Sequence, residues 1–336
     1  VTTAAPTAIE MSRTIIDQIS TAVASGGDAA SARAALADVL KNQGGAMAAA
    51  TASPAAPAAG AMSVGAKVIL RPNGVEYHVR KVATHDDVQM LRSLRKAGIN
   101  VMAYGPPGTG KTALIEAAFA GDDLPEAERG MYTVQGSGDT EVADFVGGFI
   151  QLPNGQYEWV DGPMLRAMEE GKPLYVDEVP LIDPKVLAGL YSVMDGRNEL
   201  RVTQNPERGV VKAKPGFYVL AACNPNAPGA RMSEALTSRF NLQFEVTTDY
   251  QLAKKLGVSS KMVTAAQNMQ RKLEKGEMGW APQLRELLAF KDVSALLGED
   301  VALRNVISGS PEIDRPMVQD VLSRSFAKQL TELRVE

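Results

Sequence analysis

Residues 100–120 read Asn-Val-Met-Ala-Tyr, then Gly105-Pro-Pro-Gly-Thr-Gly-Lys-Thr112, then Ala-Leu-Ile-Glu-Ala-Ala-Phe-Ala. An apolar strand runs into a glycine-rich loop, and the loop opens a helix. The loop matches G-x-x-x-x-G-K-[ST], and the strand before it and the helix after it are the context the motif requires. Its physics is specific. Glycines let the backbone wrap a triphosphate with N–H groups pointing inward. The helix N-terminus adds the positive end of its dipole. Lys111 can bridge the β- and γ-phosphates, and the Thr112 hydroxyl can bind Mg²⁺. Gly105, Pro106, Pro107, Gly108, Thr109, Gly110, Lys111 and Thr112 are therefore the expected phosphate cradle.

Outward from the loop, Lys172-Pro-Leu-Tyr-Val-Asp-Glu178 delivers two carboxylates at the C-terminal end of an apolar strand. That is the edge where ligands bind in open α/β sheets. Asp177 is expected to hold the Mg²⁺ shell, and Glu178 to polarise an attacking water as general base. A strand-ending Asp-Glu can be a mere solvated corner; the phosphate loop is what gives this pair its meaning. Asn224 follows the apolar strand Gly216–Cys223 directly. If that strand neighbours the other two, the Asn224 amide could help orient the water. An Asn-Pro turn is the plainer reading, and the two are compatible.

Apolar strands at 100–104, 131–135, 173–178, 216–223 and 242–246 alternate with helical segments, the pattern of a parallel sheet covered by helices. After Asp249 the strand signal stops, and 250–256, 259–275, 282–297, 299–307 and 316–333 are helical in pattern. The expected class is α/β: a three-layer phosphate-loop domain over 66–248, then a helical lid over 249–336. Ahead of it, 66–82 read as a hairpin turning at Arg71-Pro-Asn-Gly74, and 86–97 as a helix. Residues 1–43 look like two thin, Ala-rich helices, either a weakly ordered tail or a small docking element. Residues 44–65 are an Ala/Pro linker.

Composition narrows the function classes. The formal net charge is −4, which argues against a protein that coats nucleic acid. One cysteine and two histidines allow neither an internal disulfide nor a zinc cluster. Neither a signal peptide nor a membrane-spanning stretch is read, so a cytoplasmic protein without membrane insertion is expected.

The order phosphate loop, Asp-Glu strand, strand-end Asn, Ser238-Arg239-Phe240 and helical domain resembles AAA+ ATPases. Residues 136–172, with Asp161-Gly-Pro163, resemble the helix-insertion segment of the MoxR branch, and 180–202 resemble the helix and hairpin after its Walker B motif. By eye the CbbQ, NorQ and gas-vesicle GvpN subgroup (AAA_5, dynein-related type) is nearest. The resemblance covers roughly residues 100–290. It implies a homo-oligomer, a hexameric ring holding ATP between subunits. It implies that Arg239 is a finger reaching a neighbour's γ-phosphate, with Arg231 as its rival, and that Arg285 contacts phosphates from the lid of the same subunit. For either arginine an ordinary surface salt bridge is the bland alternative. It further implies a remodelling or activating ATPase that uses ATP and Mg²⁺ on a partner complex, with a separate von Willebrand factor A domain protein as the usual partner. The 139–160 insertion reads as a hairpin around Pro153-Asn-Gly155, in which Phe149 and Trp159 either grip a client or pack on each other. A second hairpin is expected over about 199–215. The rival function is a nucleic-acid NTPase motor or restriction subunit of the McrB kind, which the acidic charge disfavours. A non-catalytic nucleotide-switched scaffold is a further alternative, disfavoured because the full set of catalytic residue types is present.

Overall fold

The computed structural model describes residues 67–335 other than 226, 228, 230 and 231. The readings for residues 1–65 and for Arg231 lie outside the described residues. The described part belongs to one compact unit, Ala66–Glu336.

Two small hairpins come first: β1 (Val68–Leu70) with β2 (Glu76–His78), and β3 (Lys81–Val82) with β4 (His85–Asp86). The sequence reading ran one strand through to residue 82. The chain breaks it after His78, because the Asp87 backbone N–H donates back to the Arg80 carbonyl and folds 81–86 into a turn of its own. Helix α1 (Asp87–Lys96) follows, then β5 (Val101–Tyr104) and α2 (Lys111–Ala120). Next are β6 (Tyr132–Gln135), α3 (Val142–Val146), β7 (Gly147–Gln151), β8 (Tyr157–Asp161), α4 (Pro163–Glu170) and β9 (Pro173–Asp177). The α/β part closes with α5 (Pro184–Leu187), α6 (Tyr191–Met194), β10 (Glu199–Arg201), β11 (Val210–Lys212), β12 (Tyr218–Cys223), α7 (Glu234–Thr237) and β13 (Leu242–Glu245).

The central sheet has five strands in the order β13-β5-β12-β9-β6, and every pairing is parallel. Leu220 of β12 sits opposite Val101 of β5 on one side and Tyr175 of β9 on the other. A parallel sheet needs both faces covered, so its inner strands β5, β12 and β9 are almost continuously apolar, while the edge strands β6 and β13 alternate. The period of two then sorts them. Leu174, Val176, Val219 and Ala221 join one core with Met164, Leu165 and Met168 of α4. Tyr175, Tyr218, Leu220, Val101 and Ala103 join the opposite core with α1 and α2. This is the expected three-layer α/β architecture.

The helical part is α8 (Tyr250–Lys255), α9 (Ser260–Glu274), α10 (Leu284–Leu297), α11 (Glu299–Gly309) and α12 (Arg315–Phe326), packed around a third core that includes Met262, Met269, Leu287, Phe290, Leu303 and Leu322. Their starts are set by side-chain caps. The Asp249 carboxylate accepts from the Gln251 and Leu252 N–H groups, the Ser259 hydroxyl accepts from Met262 N–H, and Gln283 with Glu286 forms a capping box. The last helix is shorter than its sequence pattern suggested. Ala327 takes a left-handed conformation (φ 53°), the helix stops at Phe326, and Leu330 reaches the core from a non-helical tail. Apolar spacing alone could not separate these two ways of burying Leu330.

Candidate active site

The loop between β5 and α2 lies at the C-terminal edge of the sheet, and its backbone is pinned residue by residue. Gly105 N–H donates to Cys223 O at 3.1 Å, tying the loop to the end of β12. A Cβ on Gly105 would meet Val246 O at 2.5 Å, so only glycine passes here. Lys111 is 8% exposed, and its ammonium donates to Gly105 O (2.8 Å) and Pro106 O (2.9 Å). Thr109 is buried, and its hydroxyl donates to Pro106 O. Pro107 stands exposed at the loop's crest.

The Asp-Glu strand arrives alongside. Because β12 pairs with both β5 and β9, the ends of these three strands meet at one edge. The Thr112 hydroxyl lies 3.5 Å from Asp177 Oδ2 and 3.3 Å from the Tyr175 hydroxyl. Burial lowers the pKa of the Lys111 ammonium, and the Glu178 and Asp177 carboxylates, in that order, are the foremost charges opposing the shift. Lysine, threonine and two carboxylates thus share one small volume. Glu178 adopts a left-handed backbone (φ 46°), an uncommon state for a residue with a side chain. Its Oε2 is shielded from solvent, without a hydrogen-bond partner among the described residues. Asn224 directly follows β12, and β12 pairs with both β5 and β9, so its strand does neighbour the other two.

Arg285 enters from the helical part. Its backbone N–H, near the start of α10, donates to Gly108 O at 3.1 Å, and a Cβ on Gly108 (φ 81°) would sit 3.0 Å from the Arg285 Cβ. Its guanidinium is close enough to weigh on the Lys111 ammonium. Arg239 is not part of this cluster. Its guanidinium lies over the Tyr191 ring, 4.1 Å from the centroid, and Nη1 donates to Ala235 O. It lines a cavity of about 470 Å³ with Asn100, which precedes β5, and Phe217 and Tyr218, which begin β12. That is the opposite edge of the sheet from Lys111, a strand length of roughly 13 Å away at ~3.3 Å per residue.

Two groups escaped the sequence reading. Tyr175 lies two residues before Asp177 on one strand, and that period of two was the signal that could have found it. Its burial and the nearby Asp177 carboxylate drive its phenol pKa up. Arg80, with Tyr77 and Asp87, backs the phosphate loop from the first hairpins, and no sequence motif marks it.

Away from the loop, β7 and β8 form the expected insertion hairpin. Phe149 and Trp159 stack edge-to-face at 5.2 Å, so the cross-strand packing is present, while Phe149 remains 55% exposed. The second expected hairpin is β10 with β11. Arg208, at its turn, donates to both Asp161 oxygens and to Glu169, joining the two hairpins. Trp159 Nε1 donates to the same Asp161 at 2.6 Å. The Arg208 hydrogen bonds hold the Asp161 carboxyl below its usual range.

Residues 100–240 match the AAA domain of the dynein-related subfamily. With its five-stranded parallel sheet and the helices around it, this region has the α/β phosphate-loop fold of AAA+ domains. An uncharacterized protein of Staphylococcus haemolyticus is 38% identical over 161 residues, covering 46% of this chain and 57% of that protein. An uncharacterized protein of Staphylococcus aureus matches at the same identity and coverage. The chain thus spans little more than half the length of these curated relatives. A solved structure of a candidate ATPase from Cytophaga hutchinsonii, 17% identical, covers 63% of this chain and 73% of that one at a TM-score of 0.37, a likeness too loose to bear on the chemistry. Among the described residues no helix is long and apolar enough to cross a membrane.

Proposed function

We propose that this AAA+ chain hydrolyses ATP with Mg²⁺ at sites shared between copies of itself, and uses the cycle to remodel or activate a partner protein complex in the manner of the MoxR branch. The observation that carries the reading is the convergence of Lys111, Thr112, Asp177 and Glu178 at one sheet edge. In this reading the Lys111 ammonium binds the β- and γ-phosphates, and the loop's N–H groups and the start of α2 cradle them. Glu178 accepts a proton from the attacking water; its oxygen, without a partner among the described residues, and its constrained backbone suit a group held ready for that role. Asn224 orients the water, and Arg285 closes on the phosphates from the lid.

The donor set fits magnesium. Thr112 and Asp177 supply two oxygens, and no group of three or more His, Cys, Asp or Glu exists among the described residues to build a protein-only cage. A small hard cation that keeps phosphate and water ligands needs no more than this. When bound, it neutralises charge on the phosphate oxygens. Arg239 stands at the wrong edge to serve its own loop, which supports its acting on a neighbouring subunit in a ring. A hexamer, and a separate von Willebrand factor A domain partner, belong to the same proposal.

The test is phosphate release by the purified chain with and without Mg²⁺, with assembly followed by light scattering over a range of concentrations. Specific activity that climbs with assembly is the expected result. Mg²⁺-independent release, or nucleotide binding without turnover in fully assembled particles, would count against it.

A further inference from the structure

We propose that Arg80 is a positioning residue for the phosphate cradle: it fixes the Thr109–Gly110 peptide so that the Gly110 N–H faces the ligand. This rests on the phosphate-site reading above. Arg80 lies in the stretch between β2 and β3, and its side chain is 12% exposed. Its Nη1 donates to Thr109 O at 3.0 Å and lies 3.4 Å from Thr247 O, past the end of β13. The other side of the guanidinium is held as firmly. Nε donates to the Tyr77 hydroxyl at 3.1 Å and lies 3.5 Å from Asp87 Oδ2. The Tyr77 hydroxyl itself donates to Asp87, which also accepts from the Arg80 backbone N–H at 3.1 Å. Tyr77 and Asp87 are 6% and 1% exposed, so this support is rigid and dry.

The consequence follows from peptide geometry. In a planar trans peptide the C=O and the following N–H point in opposite directions. Drawing the Thr109 carbonyl back toward Arg80 therefore turns the Gly110 N–H the other way, into the loop. Four other loop carbonyls are held too. Lys111 takes those of Gly105 and Pro106, the Arg285 N–H takes that of Gly108, and the Leu114 N–H takes that of Gly110. Among the described residues, Arg80 is the one side chain outside the loop and its helix that holds a loop carbonyl. Lysine could answer the Asp87 charge, but a point cation cannot satisfy Tyr77, Asp87 and Thr109 together as the guanidinium fork does. A loop ordered in advance saves the cost of ordering it on binding.

The experiment compares wild type, Arg80→Lys and Arg80→Met as full-length chains. Affinities for ATP and for inorganic tripolyphosphate are measured at a temperature well below each melting point, with Lys111→Ala as the control for site-specific binding. Arg80→Lys keeps a cation opposite Asp87 and guards against a merely unfolded variant. The expected result is that folded Arg80→Lys loses about tenfold in affinity for both probes, the scale of one charge-assisted hydrogen bond. Affinities within about twofold of wild type, whatever happens to the melting temperature, would make Arg80 a structural residue only and overturn the proposal. Loss for ATP alone, with tripolyphosphate unaffected, would place its effect on the nucleoside and overturn it as well. If the wild-type chain binds neither probe, or Lys111→Ala binds as well as wild type, the phosphate-site reading falls first and takes this proposal with it.

Discussion

Replacing Glu178 by glutamine separates binding from chemistry. The two side chains have nearly the same size, and the left-handed backbone at φ 46° is no harder for one than for the other. Among the described residues the shielded Oε2 makes no hydrogen bond, so the amide breaks none there and the fold should be unaffected. The charge does change. Glu178 is the foremost negative group acting on Lys111, and removing it leaves the site more positive. ATP, itself strongly anionic, should then bind as tightly as in wild type or more so. Chemistry should suffer, since an amide cannot accept the water's proton. Loss of a general base costs ~10²–10⁴ in rate, or about 3–5 kcal/mol of barrier. The assay pairs steady-state phosphate release with a nucleotide titration on the same preparation. Turnover within tenfold of wild type would place the base elsewhere. Loss of ATP affinity in step with turnover would show that Glu178 organises the site and is not its base.

Lys111→Ala should weaken ATP binding at least about tenfold, since a cation that can make charge-assisted bonds to the phosphates is gone. A fluorescent-nucleotide titration indistinguishable from wild type would refute that. Arg239→Ala should bind ATP normally yet turn it over slowly, and mixing it with Lys111→Ala should restore part of the activity in rings shown to contain both; mixed rings that stay inactive would place Arg239 in a purely structural role. Asp161 and Arg208, with side chains 22% and 27% exposed, should show a coupling of about 0.5–1 kcal/mol in a double-mutant cycle using Asn and Gln, read by urea unfolding at pH 7. Because the folded Asp161 pKa is depressed, that coupling is present above the ordinary carboxylate value of ~3.9 and fades as pH falls through the lower folded value; a coupling equal at pH 7 and well below pH 3 would contradict the assignment.

The groups of the candidate site were legible because local sequence places them. The strand, the glycine-rich loop and the helix at 100–120 are contiguous, and Asp177, Glu178 and Asn224 end strands whose apolar character is plain. Less legible was whatever depends on chain segments meeting. Arg80 reaches Thr109 across 29 residues, and Arg208 reaches Asp161 across 47. An exposed-looking arginine gives no hint of which carbonyl or carboxylate the fold will bring to it. The overlong last helix has the same origin: Phe326 and Leu330 are spaced for a helix, yet packing was satisfied once Ala327 turned the chain. Phe149 and Trp159 could be matched across strands from the Asn-Gly turn, because a hairpin turn fixes its own register.

The bond from the Arg285 N–H to Gly108 O has a consequence for how this protein can vary. The mechanical tie from lid to loop is made by main chain on both sides, so it carries no signature in the alphabet of side chains. Nineteen of the twenty amino acids at position 285 would preserve the donor, and proline alone would delete it. Relatives can therefore exchange the side chain at 285, and with it whatever the guanidinium does, while the lid still rides on the loop. A substitution scan would find a position tolerant in one respect and intolerant in another, with a penalty for proline quite distinct from that for alanine. Such a profile separates the scaffold's share of the contact from the side chain's share in one experiment.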